Sequence, residues 1–325
     1  MPEQAMPTRS STGSQSTTSP RPSTFSIVAR DPETDAVGIA VQSKFVSVGS
    51  VVPFASADAG AIATQSFANV SYGPDGLAML RDGASAEEVV EELVSDDPDA
   101  ASRQIGIVDR DGSVAGYTGE ECFEYADDRQ GEHYAVQGNI LENAETLDAM
   151  EATFGETDGG LPEKLLAALY AAEEAGGDKR GKQSAALYVV KPEGGYQGNN
   201  DRWIDVRVDD HETPIAELER VFKIYDVTLL EREEPEEFEE LSGEVASEVT
   251  SVLNELGFYD DKSSETFGEV EREALEDFRG LNNFENHDVR LLEDALARGW
   301  DDATGAGEER MVDAIWHGLS RLDRK

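Results

Sequence analysis

Apolar and polar residues alternate from the start of the patterned part of the chain. The segment TFSIVAR, which begins at Thr24, has an apolar residue at every second position, and VGIAVQ follows after the turn DPETD. Alternation with a period of two is typical of a β-strand, and two such runs joined by a short polar turn predict a hairpin. Further apolar runs predict strands near 50–57 and 60–65.

Helical and strand patterns then mix up to the middle of the chain. The runs QIGIVD and SVAGYT, joined by the turn Arg110–Asp111–Gly112, predict a second hairpin, and YAVQGN, SAALYVV and WIDVRV predict further strands. Helical patterns lie near 143–154 and 161–175, and Ser85 caps an acidic helix. Strand-rich blocks that bracket paired helices predict an α+β sandwich of two packed antiparallel sheets with helices outside.

The remaining segments have different patterns. Residues 1–23, rich in Ser, Thr and Pro, predict a disordered tail before a folded domain at 24–228. The run EREEPEEFEE within 229–242 predicts an acidic linker. From 243 to 325 apolar residues recur at helical spacing, which predicts a small all-α bundle.

The composition is strongly acidic, with 27 Lys and Arg against 69 Asp and Glu and a formal net charge of −42. This charge opposes binding to nucleic acid and to anionic membranes, both of which recruit cations. The sequence shows neither a membrane-spanning apolar run nor a secretion signal, so we expect a cytoplasmic protein. Acidic residues spread over the whole chain favour a surface adapted to high salt over a binding surface for cations or basic partners.

Common catalytic and metal-binding motifs are missing from the sequence. There is no phosphate-binding glycine loop, no H-E-x-x-H and no G-x-S-x-G, and the chain has only four His. Cys122 is the only cysteine and stands among acidic neighbours that would raise its pKa, so we expect it to pack rather than react. We therefore predict no metal and no cofactor.

Four blocks in order resemble the DUF1028 family. The first block starts with TFSIVARDPETDAVGIAVQSKF. The other three blocks are GEECFEYADDRQGEHYAVQGNIL, DKRGKQSAALYVV and NDRWIDVRVDDH. That family is assigned to the N-terminal-nucleophile (Ntn) hydrolases. The resemblance therefore implies a four-layer αββα sandwich and hydrolysis of an amide bond by the side chain of the first residue, without a cofactor.

Thr24 is the residue that matches the nucleophile of such enzymes. In this chemistry a hydroxyl at the free N-terminus of a strand attacks a carbonyl, and its own α-amine, with a pKa of about 8, accepts the proton. Here 23 residues precede Thr24, and an amide nitrogen is not a base. Three interpretations stay open: the tail is removed, translation starts later, or Thr24 is only a strand residue.

Other polar residues near predicted strand ends are candidates for the same site. Lys44 would lower the pKa of a neighbouring amine and stabilise an alkoxide, or it is a solvated turn residue. Gln65, Ser66 and Asn69 would face a pocket or form an oxyanion hole, or they cap the next helix. Gln137 and Asn139 end a strand and would line the site, or they form an ordinary turn. The last two candidates flank Gly138.

A basic cluster at 178–182 is unusual in so acidic a chain. Lys179, Arg180 and Lys182 would clamp a substrate carboxylate, or they form a salt-bridged loop. Asp201 and Arg202, beside a Gly/Asn-rich loop, would pair with this cluster.

The C-terminal segment LGFYDDKSSETFGEVEREALEDFRGLNNF resembles a peptidoglycan-binding helical domain. Its aromatic residues fall at helical spacing and are expected to form the core of the bundle. We favour a docking or oligomerisation module over cell-wall binding, and the sequence does not identify its ligand.

Two functions follow from these features. The first is a cofactor-independent amidohydrolase that acts on a small-molecule substrate, an anionic amide or ureido compound. The alternative is a catalytically silent binding or scaffold protein with the same fold and a helical docking module. Edge strands and the helical appendage are compatible with a homo-oligomer.

Overall fold

The computed structural model describes residues 23–230, 237–281, 284 and 287–298. The predicted tail, apart from Ser23, lies outside the described residues, as do part of the acidic linker and the end of the predicted bundle. None of the helices in the described ranges is long and apolar enough to cross a membrane.

Within the described residues, ten strands form two antiparallel sheets. The strands are β1 (Thr24–Arg30), β2 (Val37–Ser43), β3 (Pro53–Ser56), β4 (Gly60–Ser66), β5 (Arg103–Asp109), β6 (Val114–Thr118), β7 (Asp127–Gly131), β8 (Tyr134–Asn139), β9 (Ser184–Val190) and β10 (Arg202–Val208). The larger sheet has the order β10–β9–β2–β1–β8–β7, and the smaller sheet has the order β3–β4–β5–β6. β1 therefore lies in the centre of the larger sheet, between β2 and β8.

Helices cover the outer faces of the sheets, and the described C-terminal region is helical. They are α1 (Tyr72–Arg81), α2 (Ala86–Ser95), α3 (Glu145–Glu156), α4 (Leu161–Glu174), α5 (Pro214–Leu229), α6 (Gly243–Leu256), α7 (Glu269–Leu281) and α8 (Val289–Arg298). α3, α4 and α5 pack on the larger sheet, whereas α1 and α2 pack on the smaller one. The predicted α+β class with two antiparallel sheets and a helical C-terminal region is confirmed.

The alternation in β1 decides which side chains face which layer. Phe25 and Ile27 pack with the helices outside the larger sheet, whereas Val28 packs between the two sheets. Successive side chains of a strand point to opposite faces, so Thr24 and Ser26 share the inner face with Val28. The pattern of one strand thus directs the Thr24 side chain into the layer between the sheets.

The described C-terminal helices have a core of their own. Val249 and Leu253 of α6, Leu275 and Phe278 of α7, and Leu292 of α8 are fully buried in one cluster. Phe278 contacts Phe258 edge-on, with 6.0 Å between ring centroids. As expected from their spacing, aromatic residues of this region belong to the core.

Gly106 of β5 lies directly under the side chain of Gln137. This close approach leads to a first prediction, which concerns the stability of the fold. A Cβ at position 106 would stand 2.1 Å from Gln137 Oε1, and Gln137 is held by a hydrogen bond of 2.6 Å from its Nε2 to Ser26 Oγ. Gly106→Ala is expected to lower the free energy of unfolding by about 1–3 kcal/mol, since an overpacked interior must shift. Chemical denaturation measures the change.

Gly155 in α3 is the matched control. A Cβ there meets no atom within 4 Å, so Gly155→Ala is expected to leave stability unchanged or raise it by up to about 1 kcal/mol. Equal effects of the two substitutions would show that the approach of Gln137 to Gly106 does not constrain the fold.

Candidate active site

Thr24 is the first residue of β1 and lies in the interior of the protein. It pairs with Ser43 at the end of β2 and with Asn139 at the end of β8, and only 4% of its surface is exposed. Its hydroxyl is 3.2 Å from Ser43 Oγ, to which it donates a hydrogen bond. Three strand ends thus place hydroxyl and amide side chains around Thr24.

Ser23, the residue before Thr24, is fully buried and bound on two sides. Its carbonyl oxygen accepts hydrogen bonds from Ser43 Oγ and, at 3.1 Å, from Arg180 Nη2. Its hydroxyl donates to the carbonyl oxygens of Asn139 at 2.8 Å and Ile140 at 3.3 Å. The peptide bond between Ser23 and Thr24 therefore lies in a small polar site beside the Thr24 hydroxyl.

Asp178 holds the basic loop against this site. Its side chain is fully buried, and it accepts a hydrogen bond from the Lys44 backbone N–H at 2.9 Å and forms an ion pair of 3.2 Å with Arg180. A buried carboxylate with charged and backbone donors is strongly oriented. Asp178 thus links the end of β2 to Arg180 and fixes the guanidinium next to the Ser23 carbonyl.

The lysines of the candidate set lie at the rim of the site. Lys44 is exposed, and its ammonium donates to the Lys182 carbonyl at 3.3 Å. Lys182 forms an ion pair of 2.6 Å with Glu173 of α4, and the exposed Lys179 is tied down through its backbone N–H to the Ile140 carbonyl. The loop is salt-bridged and also places Arg180 beside the Ser23 carbonyl, and its role as a clamp for a substrate carboxylate stays a prediction.

A network of buried amides joins the two sheets behind Thr24. Gln65 Oε1 accepts from Ser26 Oγ at 2.6 Å, and Gln65 Nε2 donates to Gln104 Oε1 at 2.8 Å. Asn139 Nδ2 donates to the same oxygen of Gln104 at 2.9 Å, and Gln137 Nε2 binds Ser26 Oγ. Gln65, Gln137 and Asn139 are thus brought together with Thr24, as structural neighbours in the layer between the sheets.

Ser66 and Cys122 lie next to this network. Ser66 has a positive φ of 67°, is buried, and its hydroxyl has no hydrogen-bond partner among the described residues. Cys122 is half-buried and donates to the Arg103 carbonyl at 3.3 Å, and burial raises the pKa of its thiol. A thiol with a raised pKa is a poor nucleophile, in line with the packing role expected for Cys122.

Asn69 belongs to a different polar cluster, around Asp97. Its amide nitrogen donates to Asp97 at 3.1 Å, and its oxygen accepts from the Ser71 N–H at 3.2 Å, just before α1 begins. Asp97 also accepts hydrogen bonds of 2.9 Å from Arg103 Nε and from the Tyr72 hydroxyl. The hydrogen bond from Arg103 holds the Asp97 pKa well below its ordinary value of 3.8.

The Asp97 cluster predicts a pH-dependent stability. Because the pKa of Asp97 is lower in the folded state, the ionised carboxylate stabilises the fold. Its contribution to the free energy of unfolding is complete above about pH 3.8 and is lost as the pH falls towards the folded-state pKa. Asp97→Asn is expected to cost about 2–4 kcal/mol at pH 7, since Arg103 loses a buried partner. Denaturation curves at pH 7 and pH 3 measure the loss, which should shrink at the lower pH.

The neighbouring Asp96 is exposed and gives the control. Asp96→Asn is expected to change the free energy of unfolding by less than about 0.5 kcal/mol at either pH. A loss for Asp97→Asn that stays constant with pH would contradict the assignment to the ionised Asp97–Arg103 pair.

Asp201 and Arg202 lie at the opposite end of the larger sheet, so the expected pairing with the basic loop is wrong. Thr24 is aligned through Ser43 with Ser184, the first residue of β9, whereas Arg202 pairs with Val190, the last. Seven residues of an antiparallel strand span roughly 20 Å. Asp201 instead accepts from the Ala57 N–H at 2.9 Å, and Arg202 pairs with Asp205 at 3.3 Å.

A cavity of about 390 Å³ lies at that end of the sheet, beside the loop after β9. Tyr196, Trp203 and Tyr225 line it, and Lys191 Nζ stands 3.9 Å from the centre of a Trp203 ring. Among the described residues, no three His, Cys, Asp or Glu side chains are grouped so that they could hold a metal ion.

Ser23, Ser26, Ser43 and Gln104 were absent from the candidates derived from the sequence. Ser26 and Gln104 are polar residues on the inner faces of otherwise apolar strands, and this signal was available from the alternation alone. Ser43 ends β2 directly before Lys44, so the end of the hairpin could also have indicated it.

The described residues thus form a mixed α/β protein with two antiparallel sheets and a helical C-terminal region. Residues 24–218 match the model of a family of unknown function, DUF1028, and the chain belongs to that family. Residues 228–316 match a second model, described as "Putative peptidoglycan binding domain". The docking role expected for this region stays a prediction.

One solved relative is the crystal structure of a DUF1028 protein from Silicibacter pomeroyi. It is 30% identical, with a TM-score of 0.58, and the match covers 67% of this chain and 100% of the relative. No curated protein shows significant similarity to the chain.

Proposed function

We propose that the chain is an N-terminal-nucleophile amidohydrolase that acts on a small anionic amide or ureido compound. Its nucleophile is the Thr24 hydroxyl, which becomes active when residues 1–23 are removed. The order of layers supports the assignment, because two sheets pack face to face with helices on both outer faces. Membership in DUF1028 supports it through the resemblance of that family to Ntn hydrolases.

The observation on which the proposal rests is the environment of the Ser23–Thr24 peptide bond. The Ser23 carbonyl is held by Ser43 Oγ and Arg180 Nη2, directly beside the Thr24 hydroxyl. Donors fixed on a carbonyl oxygen stabilise the negative charge that develops there during attack. Once residue 23 is removed, the same two donors would face the carbonyl of a bound amide.

The reaction then needs only the groups of Thr24 and water. The α-amine accepts the hydroxyl proton while the oxygen bonds to the substrate carbonyl carbon, and the proton passes to the departing amine as the C–N bond breaks. Water hydrolyses the resulting ester, which yields the acid and restores Thr24. Arg180 and Ser43 stabilise the oxyanion in both steps.

The charge at the rim supports an anionic substrate. Lys44, Lys179 and Lys182 surround the site in a chain whose formal net charge is −42. Lys182 already pairs with Glu173, which leaves the exposed Lys44 and Lys179 as the cations that would meet an incoming anion. A local cluster of cations in a strongly acidic protein attracts anions to that place.

The intact chain favours the second candidate, a silent binding or scaffold protein. While Ser23 is attached, Thr24 has an amide nitrogen and no base, and the buried Ser23 fills the site. The two functions therefore differ in the state of a single peptide bond.

The decisive experiment is the intact mass and the N-terminal residue of the natively expressed protein. A chain that begins at Thr24 is expected, and it should release the amine from small amides. A native chain that retains residues 1–23 would leave the mechanism without its base and would favour the scaffold function.

A further inference from the structure

We infer that Ser23 occupies the acyl subsite of this enzyme and so reveals its substrate class. The class is amides of small acids that have a hydroxyl or N–H donor on the β-carbon of the acyl group. This inference rests on the proposed function, because it assumes that the site left by residue 23 is the one that binds substrate.

Ser23 is itself the acyl half of an amide whose nitrogen belongs to Thr24. Its carbonyl oxygen faces two donors, Ser43 Oγ and Arg180 Nη2. Its β-hydroxyl faces two acceptors, the backbone carbonyl oxygens of Asn139 and Ile140. A serine acyl group therefore satisfies donors at one end of the subsite and acceptors at the other.

Both sets of groups are fixed by the fold and would persist after residue 23 leaves. Asp178 orients Arg180, and the end of β8 orients the Asn139 carbonyl. Ile140 has a positive φ of 50°, which is costly for a β-branched residue, and its backbone N–H is bound to the Phe123 carbonyl at 2.9 Å. The contacts that maintain this costly backbone conformation, including the hydrogen bond to Phe123, also keep the Ile140 carbonyl next to the Ser23 hydroxyl.

The two acceptors define specificity because an acyl group with a β-donor restores the two hydrogen bonds that the Ser23 hydroxyl makes, whereas an aliphatic acyl group of the same size loses both. The Ile140 carbonyl also accepts from the Lys179 backbone N–H at 3.0 Å, so the β-donor is its second partner. A site built to hydrogen-bond a substrate group discriminates strongly against the analogue that lacks it. The full burial of Ser23 limits the substituent on the β-carbon to a small one.

The test compares 3-hydroxypropionyl and butyryl amides of aminobenzoate, which differ only in a hydroxyl or methyl group on the β-carbon. With the chain that begins at Thr24, kcat/KM for release of aminobenzoate is expected to be roughly 10–100 times higher for the 3-hydroxypropionyl amide. Turnover of both amides at equal rates, or faster turnover of the butyryl amide, overturns the inference and leaves the amidohydrolase function standing. Turnover of neither amide, nor of other small amides, counts against the proposed function itself.

A binding measurement tests the subsite without turnover. The free acid 3-hydroxypropionate is expected to raise the melting temperature of Thr24→Ala, prepared to begin at residue 24, more than butyrate does. The full chain, in which Ser23 fills the subsite, should respond to neither acid. Equal effects of the two acids on the shortened chain, or equal binding by the full chain, would overturn the inference.

Discussion

Thr24→Ala in the chain that begins at residue 24 is expected to reduce amide turnover by at least about 10³-fold, because no other group replaces the nucleophilic hydroxyl. Thr24 contacts Ser43 Oγ at 3.2 Å, but the Ser43 hydroxyl points to the position of the residue-23 carbonyl oxygen, where it serves as an oxyanion donor in the proposed mechanism. Thr24→Ser keeps the hydroxyl and the α-amine, and we expect it to keep measurable activity. The measurement is kcat for amine release at saturating substrate.

Thr64 of β4 supplies the matched control. Thr64 is buried like Thr24, but it lies in the smaller sheet. Its hydroxyl donates to the Asn69 carbonyl at 3.3 Å. Thr64→Val is expected to leave kcat within about threefold, since the residue is not in contact with the proposed reacting atoms. Full activity of Thr24→Ala would eliminate Thr24 as the nucleophile, whatever the N-terminus of the native chain.

The central strands could be predicted from the sequence because their pattern records burial on both faces. The runs at β1, β2 and β8 have apolar residues that pack against helices on one side and between the sheets on the other. A buried strand must satisfy both layers, so its composition and alternation are strongly constrained. The position of Thr24 at the start of such a strand followed directly.

β7 was not predicted, and its place in the sheet explains why. Its sequence, Asp127 to Gly131, is DDRQG, and all five residues retain some exposure at the edge of the larger sheet. Edge strands are often charged, because charge prevents pairing with a second sheet edge. Backbone pairing with β8 forms this strand, and such pairing leaves little trace in the hydrophobic pattern.

Contacts within the candidate site were equally difficult to predict from local sequence patterns. The contacts of Arg180 with Ser23 and of Gln104 with Asn139 join segments far apart in the chain, and no local pattern indicates which strand ends meet. The wrong pairing of Arg202 has a different cause. The basic cluster precedes the strand SAALYVV and Arg202 follows it, so a seven-residue strand separates the two segments and places them at its opposite ends.

Gln104→Leu is expected to lower the free energy of unfolding by about 3–5 kcal/mol, the largest stability change predicted for this chain. Gln104 is fully buried, and its Nε2 donates to the Gly138 carbonyl at 2.8 Å and to Thr118 Oγ1 at 2.9 Å. Its Oε1 accepts from Gln65 and Asn139. Leucine fills a similar volume but leaves several of these buried partners unsatisfied, each at a cost of about 1–3 kcal/mol.

Gln130 at the edge of the larger sheet is exposed and tests whether the loss comes from burial. Urea denaturation of both variants measures the changes, and Gln130→Leu is expected to change the free energy of unfolding by less than about 0.5 kcal/mol. Because the Asn139 amide also borders Thr24, Gln104→Leu should lower turnover even at temperatures where the variant is fully folded. A variant that is both as stable and as active as the unmodified chain would show that the amide layer neither joins the sheets nor positions the site.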